Sequence, residues 1–278
     1  MPGTTPSALG AVGALWRYPV KSMMGEELNA IEVTERGLLG DRAYALVDAS
    51  DGKIASAKNP RKWPNLFDFH ATFVENPRAG GKLPAVRIAL PDGAAVTTDQ
   101  DNRNEILSRA LRREVTLGAI ERNLRTASAE EYWPDIEGLD YRDTVTDFAL
   151  PEGTFFDCAT VHVLTTATLG RLRDLYPQGR FEVRRFRPNI VVEAASGAGT
   201  FLEDAWIGQT LAIGDQVRLS VTGPCPRCVM TTLAQGGLPG DPEILRTAAR
   251  HHKAHVGIYA AVARGGTVRR GDPVRFAA

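Results

Sequence analysis

Apolar and polar residues alternate in short runs through the first third of the chain. Positions 28–33, 43–47, 67–74, 86–90 and 94–97 each fit a half-buried strand. Asp51-Gly52 and Asp92-Gly93 fall between such runs. Glycine's tolerance of positive φ suits tight hairpins there, so antiparallel pairing is expected. The period lengthens at 103–112, where Ile106, Leu107 and Leu111 share one helical face behind an Asp101 or Asn102 cap. From 126 to 153 Asp, Glu and Gly displace the periodicity, and a connecting segment is expected. Beyond it, strands are expected at 161–164, 189–193, 211–213, 217–221, 229–233, 256–263 and 274–276. Leu169, Leu172 and Leu175 mark a helix, and Asp241-Pro242 starts another. The Gly and Ala residues around 194–199 read as a loop. Placing the boundary at the start of the connecting segment gives two units, 1–125 and 126–278, both rich in β-structure.

Composition narrows the function. Lys plus Arg and Asp plus Glu both number 33, so no global charge draws the chain to nucleic acid or a charged membrane. No apolar run approaches a membrane-spanning length; the longest, 256–263, is strand-sized and broken by Gly257. No secretion signal opens the sequence. Three cysteines cannot all pair internally, and reduced thiols in a cytoplasm are the expectation.

Three clusters carry candidate chemistry. Cys225-Pro226-Arg227-Cys228 suits a soft metal, a redox disulfide or two small buried groups. A zinc site needs further ligands, and only Cys158 and the histidines at 251, 252 and 255 are candidates. A strand at 229–233 argues against a thioredoxin-type site, which precedes a helix. Arg227 puts a permanent cation beside Cys228, favouring thiolate. Arg184-Arg185-Phe186-Arg187-Pro188-Asn189 runs into an apolar strand, where a guanidinium fork suits bidentate capture of phosphate or remains solvated. Lys21 and Ser22 in Tyr18-Pro19-Val20-Lys21-Ser22, with Arg42 in Gly40-Asp41-Arg42, make an anion cradle or ordinary surface charges. His162 reads as a core histidine, and the tryptophans as packing residues.

Taken in this order, the clusters resemble the MOSC family, the branch with an N-terminal β-barrel that includes amidoxime-reducing proteins. Phe186-Arg187-Pro188-Asn189-Ile190, Ile213-Gly214-Asp215, Arg227-Cys228-Val229-Met230-Thr231-Thr232 and Gly271-Asp272-Pro273-Val274 carry the resemblance with the two N-terminal motifs. The resemblance implies a mixed α/β, β-rich fold: an N-terminal barrel-like domain over 1–125 and a MOSC barrel with peripheral helices over 126–278. It implies a molybdenum cofactor of molybdopterin type, with no role for pyridoxal phosphate, and Cys228 as metal ligand and catalytic residue. Lys21, Ser22, Arg42, Cys158, Ala159, Arg187, Asn189, Pro226 and Arg227 match positions around the pterin and its phosphate. Cys158 and Ala159 stand where relatives can carry hydroxyls, and Leu233 to Gly237 lack an acidic residue frequent after the Thr-Thr pair. The implied activity is reduction of a small N-oxygenated substrate such as a hydroxylamine, amidoxime or hydroxylamino-purine. Some relatives continue into an iron–sulfur domain that this sequence lacks, so a separate ferredoxin- or flavoprotein-type electron donor is expected. A non-catalytic carrier of cofactor or sulfur is the alternative.

Overall fold

The computed structural model describes residues 8–120, 127–195 and 199–277. The expected boundary at 125/126 and the centre of the expected Gly-Ala loop, 196–198, lie outside the described residues. Seven strands close a barrel in the order Ile190–Ala194, Val161–Thr165, His255–Arg264, Val217–Pro226, Thr210–Ile213, Pro273–Phe276 and Gly10–Arg17. Gly10–Arg17 pairs back onto Ile190–Ala194, so this stave of the barrel comes from the other end of the chain. Neighbours run antiparallel except Val161–Thr165 beside Ile190–Ala194, whose parallel pairing needs a crossover. Helix Thr166–Leu175 and the short helix Val183–Phe186 lie in that crossover.

Val161–Thr165 is buried at every position because it is covered on both faces. Val161 and Val163 join Leu211, Val217 and Ile258 inside the barrel, while Leu164 packs outside it with Leu169, Leu172 and Phe186. The N-terminal half is built from smaller sheets. Tyr44–Asp48 pairs with Val115–Ala119, and His70–Phe73, Val86–Ala89 and Ala95–Thr97 form a meander. Helix Arg103–Leu111 sends Leu107 and Leu111 into a core with Trp63, Leu66, Phe69 and Phe73. Asn102 precedes this helix without a side-chain cap bond, whereas Asp241 does cap the helix Glu243–His252 by accepting from the Glu243 N–H at 3.0 Å. Gly52 and Gly93 take φ of 71° and 88°, as their turns require.

Two expectations are corrected. The segment expected to be a connector contains an antiparallel hairpin, Ser128–Trp133 with Thr144–Ala149. Only Ala129 in it is fully buried, so apolar alternation never develops in the sequence. The β-branched run after Cys228 is a 3-10 turn, Val229–Thr232, buried throughout. Strand pairing is replaced there by Arg185, whose guanidinium donates to the carbonyls of Thr231 at 3.1 Å, Leu233 at 3.2 Å and Pro239 at 2.7 Å. Cys228, Met230 and Leu233 also pack against the N-terminal core, which brings the Cys-Pro-Arg-Cys loop to the junction of the two halves.

Candidate active site

A cleft opens at that junction. Lys21, Ser22, Arg42, Cys158, Ala159, Arg187, Asn189, Pro226, Arg227 and Cys228 all line it. The N-terminal residues arrive on two laced segments. Arg42 N–H donates to the Tyr18 carbonyl at 2.8 Å, and Lys21 N–H to that of Tyr44 at 2.9 Å. Asp41, fully buried, ties these segments to the barrel. Its carboxylate accepts from Tyr18 N–H at 2.7 Å, from Asn189 Nδ2 at 2.8 Å and from the Arg42 guanidinium. The Tyr18 ring has the Arg42 guanidinium 4.5 Å and the Arg187 guanidinium 4.2 Å from its centre.

Ser22, Arg42 and Arg187 take φ of 64°, 50° and 53°. Side chains other than glycine occupy this left-handed region at a cost of about 1–3 kcal/mol each, tolerated where the surroundings fix the conformation. Ser22 is fixed by accepting the Ala57 N–H at 3.0 Å. Arg187 is fixed by closing the Val183–Phe186 helix and by donating to the Met23 carbonyl at 2.8 Å. The three arginines of the expected cluster therefore separate by role. Arg184 holds the Gly236 carbonyl at 2.6 Å, Arg185 staples the loop after Cys228, and Arg187 alone faces the cleft.

The thiols also differ. Cys225 is buried, and the Arg227 guanidinium donates to its sulfur at 2.7 Å, while its charge also acts on Cys228. Burial opposes ionisation of Cys225, but Arg227 and His162 outweigh it and bring the thiol down to about 6. Cys228 is pushed up to about 11 by burial and then by Glu131, with Lys58 and Arg227 acting the other way. His251 is exposed, away from the cleft lining, and His162 is a buried cleft residue with its Nε2 3.2 Å from the Val256 carbonyl. Among the described residues no three His, Cys, Asp or Glu side chains converge as a metal cage.

A MOSC domain model matches residues 151–275, and a MOSC N-terminal beta barrel domain model matches residues 9–123. The chain belongs to the MOSC family. This MOSC protein is 29% identical over 300 residues to mitochondrial amidoxime reducing component 2 of Bos taurus, covering 96% of this chain and 83% of that one. It is 26% identical over 287 residues to mitochondrial amidoxime-reducing component 1 of Homo sapiens, covering 96% and 82%. Molybdenum cofactor sulfurase of Solanum lycopersicum is 26% identical over 270 residues, which are 85% of this chain and 31% of that protein.

In the MOSC cleft Lys58 and Asp157, and behind it Tyr18 and Asp41, are organising residues for which sequence alone offers no site role of their own. Tyr18, Asp41 and Asp157 sit inside or beside recognised motifs, where their neighbours were the visible charges. Lys58 follows Ser56-Ala57 in a stretch with no diagnostic spacing. Asp157 binds the Lys21 ammonium and lies 3.4 Å from that of Lys58. Burial opposes its ionisation, yet Lys21 and Lys58 hold it well below the usual carboxylate range. Burial in turn lowers Lys21.

The Cys225 pair makes the stability of this MOSC protein depend on pH. A depressed thiol contributes fully above its unfolded value, about 8.5, and the contribution disappears as pH falls to about 6. Thermal melts of cofactor-free protein from pH 6 to 9 are expected to climb in the wild type and to flatten in Cys225→Ser. Parallel curves for the two proteins would contradict this.

Proposed function

We propose that this protein is a molybdenum-cofactor-dependent oxidoreductase that reduces N-hydroxylated compounds with electrons from a separate ferredoxin- or flavoprotein-type donor. The single observation that carries the reading is the unbalanced charge of the cleft. Among the described residues its lining has five basic side chains, Lys21, Arg42, Lys58, Arg187 and Arg227, against one acidic one, Asp157; Asp41 and Glu131 pair with Arg42 and Lys58 from behind the wall, so the excess centres on Arg187, which has no carboxylate partner. Burial, and then the nearby Arg42, brings Arg187 down to about 10, a sign of positive charge without enough counter-charge. Arg227 Nε is buried without a hydrogen-bond partner. Such a cradle fits a bound anion rich in acceptors, as a pterin phosphate is.

In this reading Lys21, Arg42, Arg187 and Arg227 hold the anionic end, with Ser22, Cys158, Ala159 and Pro226 along the walls. Asn189 acts on the wall itself, because its amide is spent on Asp41 and on the His162 N–H. Cys228 is the metal ligand; its raised thiol must release a proton on binding, so loading weakens as pH falls. When bound, the group supplies two-electron oxygen-atom chemistry, and the protein supplies ligation, anchoring and a shaped pocket. The names of the amidoxime-reducing relatives support the choice of substrate class. Among the described residues no helix is long and apolar enough to cross a membrane. Three free cysteines fit a reducing cytoplasm as the setting.

Metal analysis and the mass of the pterin released on denaturation test the cofactor, and reduction of a hydroxylamino-purine by reduced methyl viologen tests the activity. Molybdenum, pterin and turnover together are expected. The sulfurase relative favours a second reading, a carrier of cofactor or sulfur, which predicts bound pterin with no turnover of any N-oxygenated compound.

A further inference from the structure

Arg42 and Arg187 gather around Tyr18 and are tied to Asp41 and the Met23 carbonyl. Lys58 lines the same cleft from a loop of the N-terminal half and has partners of its own. Its N–H donates to Ser56 Oγ at 3.2 Å, and its carbonyl accepts from Tyr132 N–H at 2.8 Å, so the backbone is docked on the Ser128–Trp133 strand. The ammonium lies 3.2 Å from Glu131 Oε2, 3.4 Å from Asp157 Oδ2 and 4.5 Å from the centre of the Phe148 ring. Lys58 and Glu131 side chains are only 13% and 12% exposed, so both are set in place rather than waving in solvent. Lys58 shares the cleft lining with Cys228, and the charges that bear on the Cys228 sulfur include those of Glu131 and Lys58.

Burial works against the Lys58 cation, but Asp157, Cys228 and Glu131 outweigh it and hold the ammonium above its ordinary range. A lysine held so firmly charged is a poor proton donor and a good fixed positive charge.

On the reductase reading above, we propose that Lys58, positioned by Glu131, is the residue that recognises the oxygen of an N–OH substrate and stabilises the negative charge that grows on it. The overall step is R–NHOH plus two electrons and two protons giving R–NH2 and water. The N–O bond breaks, nitrogen is reduced, the donor protein is oxidised, and solvent supplies the protons that end on nitrogen and oxygen. Lys58 keeps its own proton throughout. The cations of the cleft thereby take two tasks, anchoring for Arg42 and Arg187 and reaction for Lys58.

The test uses the cofactor-loaded protein with a hydroxylamino-purine, the matching aminopurine, and reduced methyl viologen as donor. Oxidised wild type is expected to bind the hydroxylated compound more tightly than the amine by about 10- to 100-fold, measured calorimetrically. Lys58→Met should erase that preference, lower kcat by about 100-fold and leave molybdenum and pterin content unchanged. Lys58→Arg keeps the cation and should recover at least part of both. Glu131→Gln should leave Lys58 charged but less firmly placed, reducing the preference for the hydroxylated compound with molybdenum and pterin content unchanged. Lys58→Met with normal discrimination, or with lost molybdenum and pterin, would overturn the proposal, the second result assigning Lys58 to cofactor anchoring. A wild type that discriminates through Lys58 yet turns nothing over would sink the reductase reading and leave the oxygen-recognition role standing.

Discussion

Cys228→Ala is expected to abolish molybdenum binding and reductase turnover while leaving the fold intact. Loss of a partner to a metal ligand costs roughly 10–100-fold in affinity or activity, and loss of the ligand itself should exceed that. The fold has little at stake at this position. Cys228 is half-buried and opens the Val229–Thr232 turn without a side-chain cap bond, so alanine removes only one small side chain from the packing there. Molybdenum content, pterin content and turnover should fall together, with an unchanged circular dichroism spectrum and melting curve. Wild-type turnover in this variant would remove the basis for ligation by Cys228. Cys225→Ser, by contrast, should act first on stability and its pH dependence, since Cys225 is buried and its partner is Arg227.

The second large effect is expected from Asp41→Ala, and it falls on stability. The Asp41 carboxylate is wholly buried and receives donors from three directions: Tyr18 N–H, Asn189 Nδ2 and the Arg42 guanidinium. Removing it strands two neutral donors and a largely buried cation. Breaking a buried pair from one side costs about 3–5 kcal/mol. Partial exposure of Arg42, 15%, places the expectation at the lower end of that range. A urea titration of cofactor-free protein should register the loss as a lower midpoint, and Asp41→Asn should recover part of it by restoring one acceptor. An unchanged midpoint in Asp41→Ala would show that the barrel and the Gly40–Arg42 turn stay joined without this carboxylate.

The parts of the fold legible in sequence are those whose burial imposes a clean period. Helix Thr166–Leu175 announces itself through Leu169, Leu172 and Leu175, and Val161–Thr165 through the β-rich run Val161-His162-Val163-Leu164. Among the elements that stay hidden, three do so for separate reasons. Gly10–Arg17 is made largely of small residues, and the strands that define it, Ile190–Ala194 and Pro273–Phe276, lie at the far end of the chain. The Ser128–Trp133 hairpin turns Glu130 to Lys53 and Asn59 on one face and Glu131 to Lys58 on the other, so no hydrophobic alternation is written into it. The run at Val229–Thr232 has strand-like composition, and only the carbonyls held by Arg185 show why it bends.

The site divides in the same way. Charged groups within recognisable motifs, such as Lys21, Arg42 and Arg187, could be read from sequence and do meet in one cleft. Asp41 and Tyr18 organise those charges from behind through buried contacts that spacing does not encode. Lys58 belongs to a loop with no motif and acquires its place only when the halves come together. Arg227 is the case in which adjacency in sequence tells only half, since its guanidinium hydrogen-bonds back to Cys225 while its charge also acts on Cys228.

The stave contributed by Gly10–Arg17 has a consequence for how the protein comes into being. This segment leaves the ribosome early, but its hydrogen-bond partners are among the later parts to emerge. Until then the barrel has a seam, with the edges of Ile190–Ala194 and Pro273–Phe276 open to pairing with other chains. Sealing the seam closes a loop from Gly10 to Val274, a slow kind of contact to form. The same closure sets Tyr18 and Lys21 at the end of the stave, so the anion cradle is assembled only when Gly10–Arg17 has joined the barrel wall.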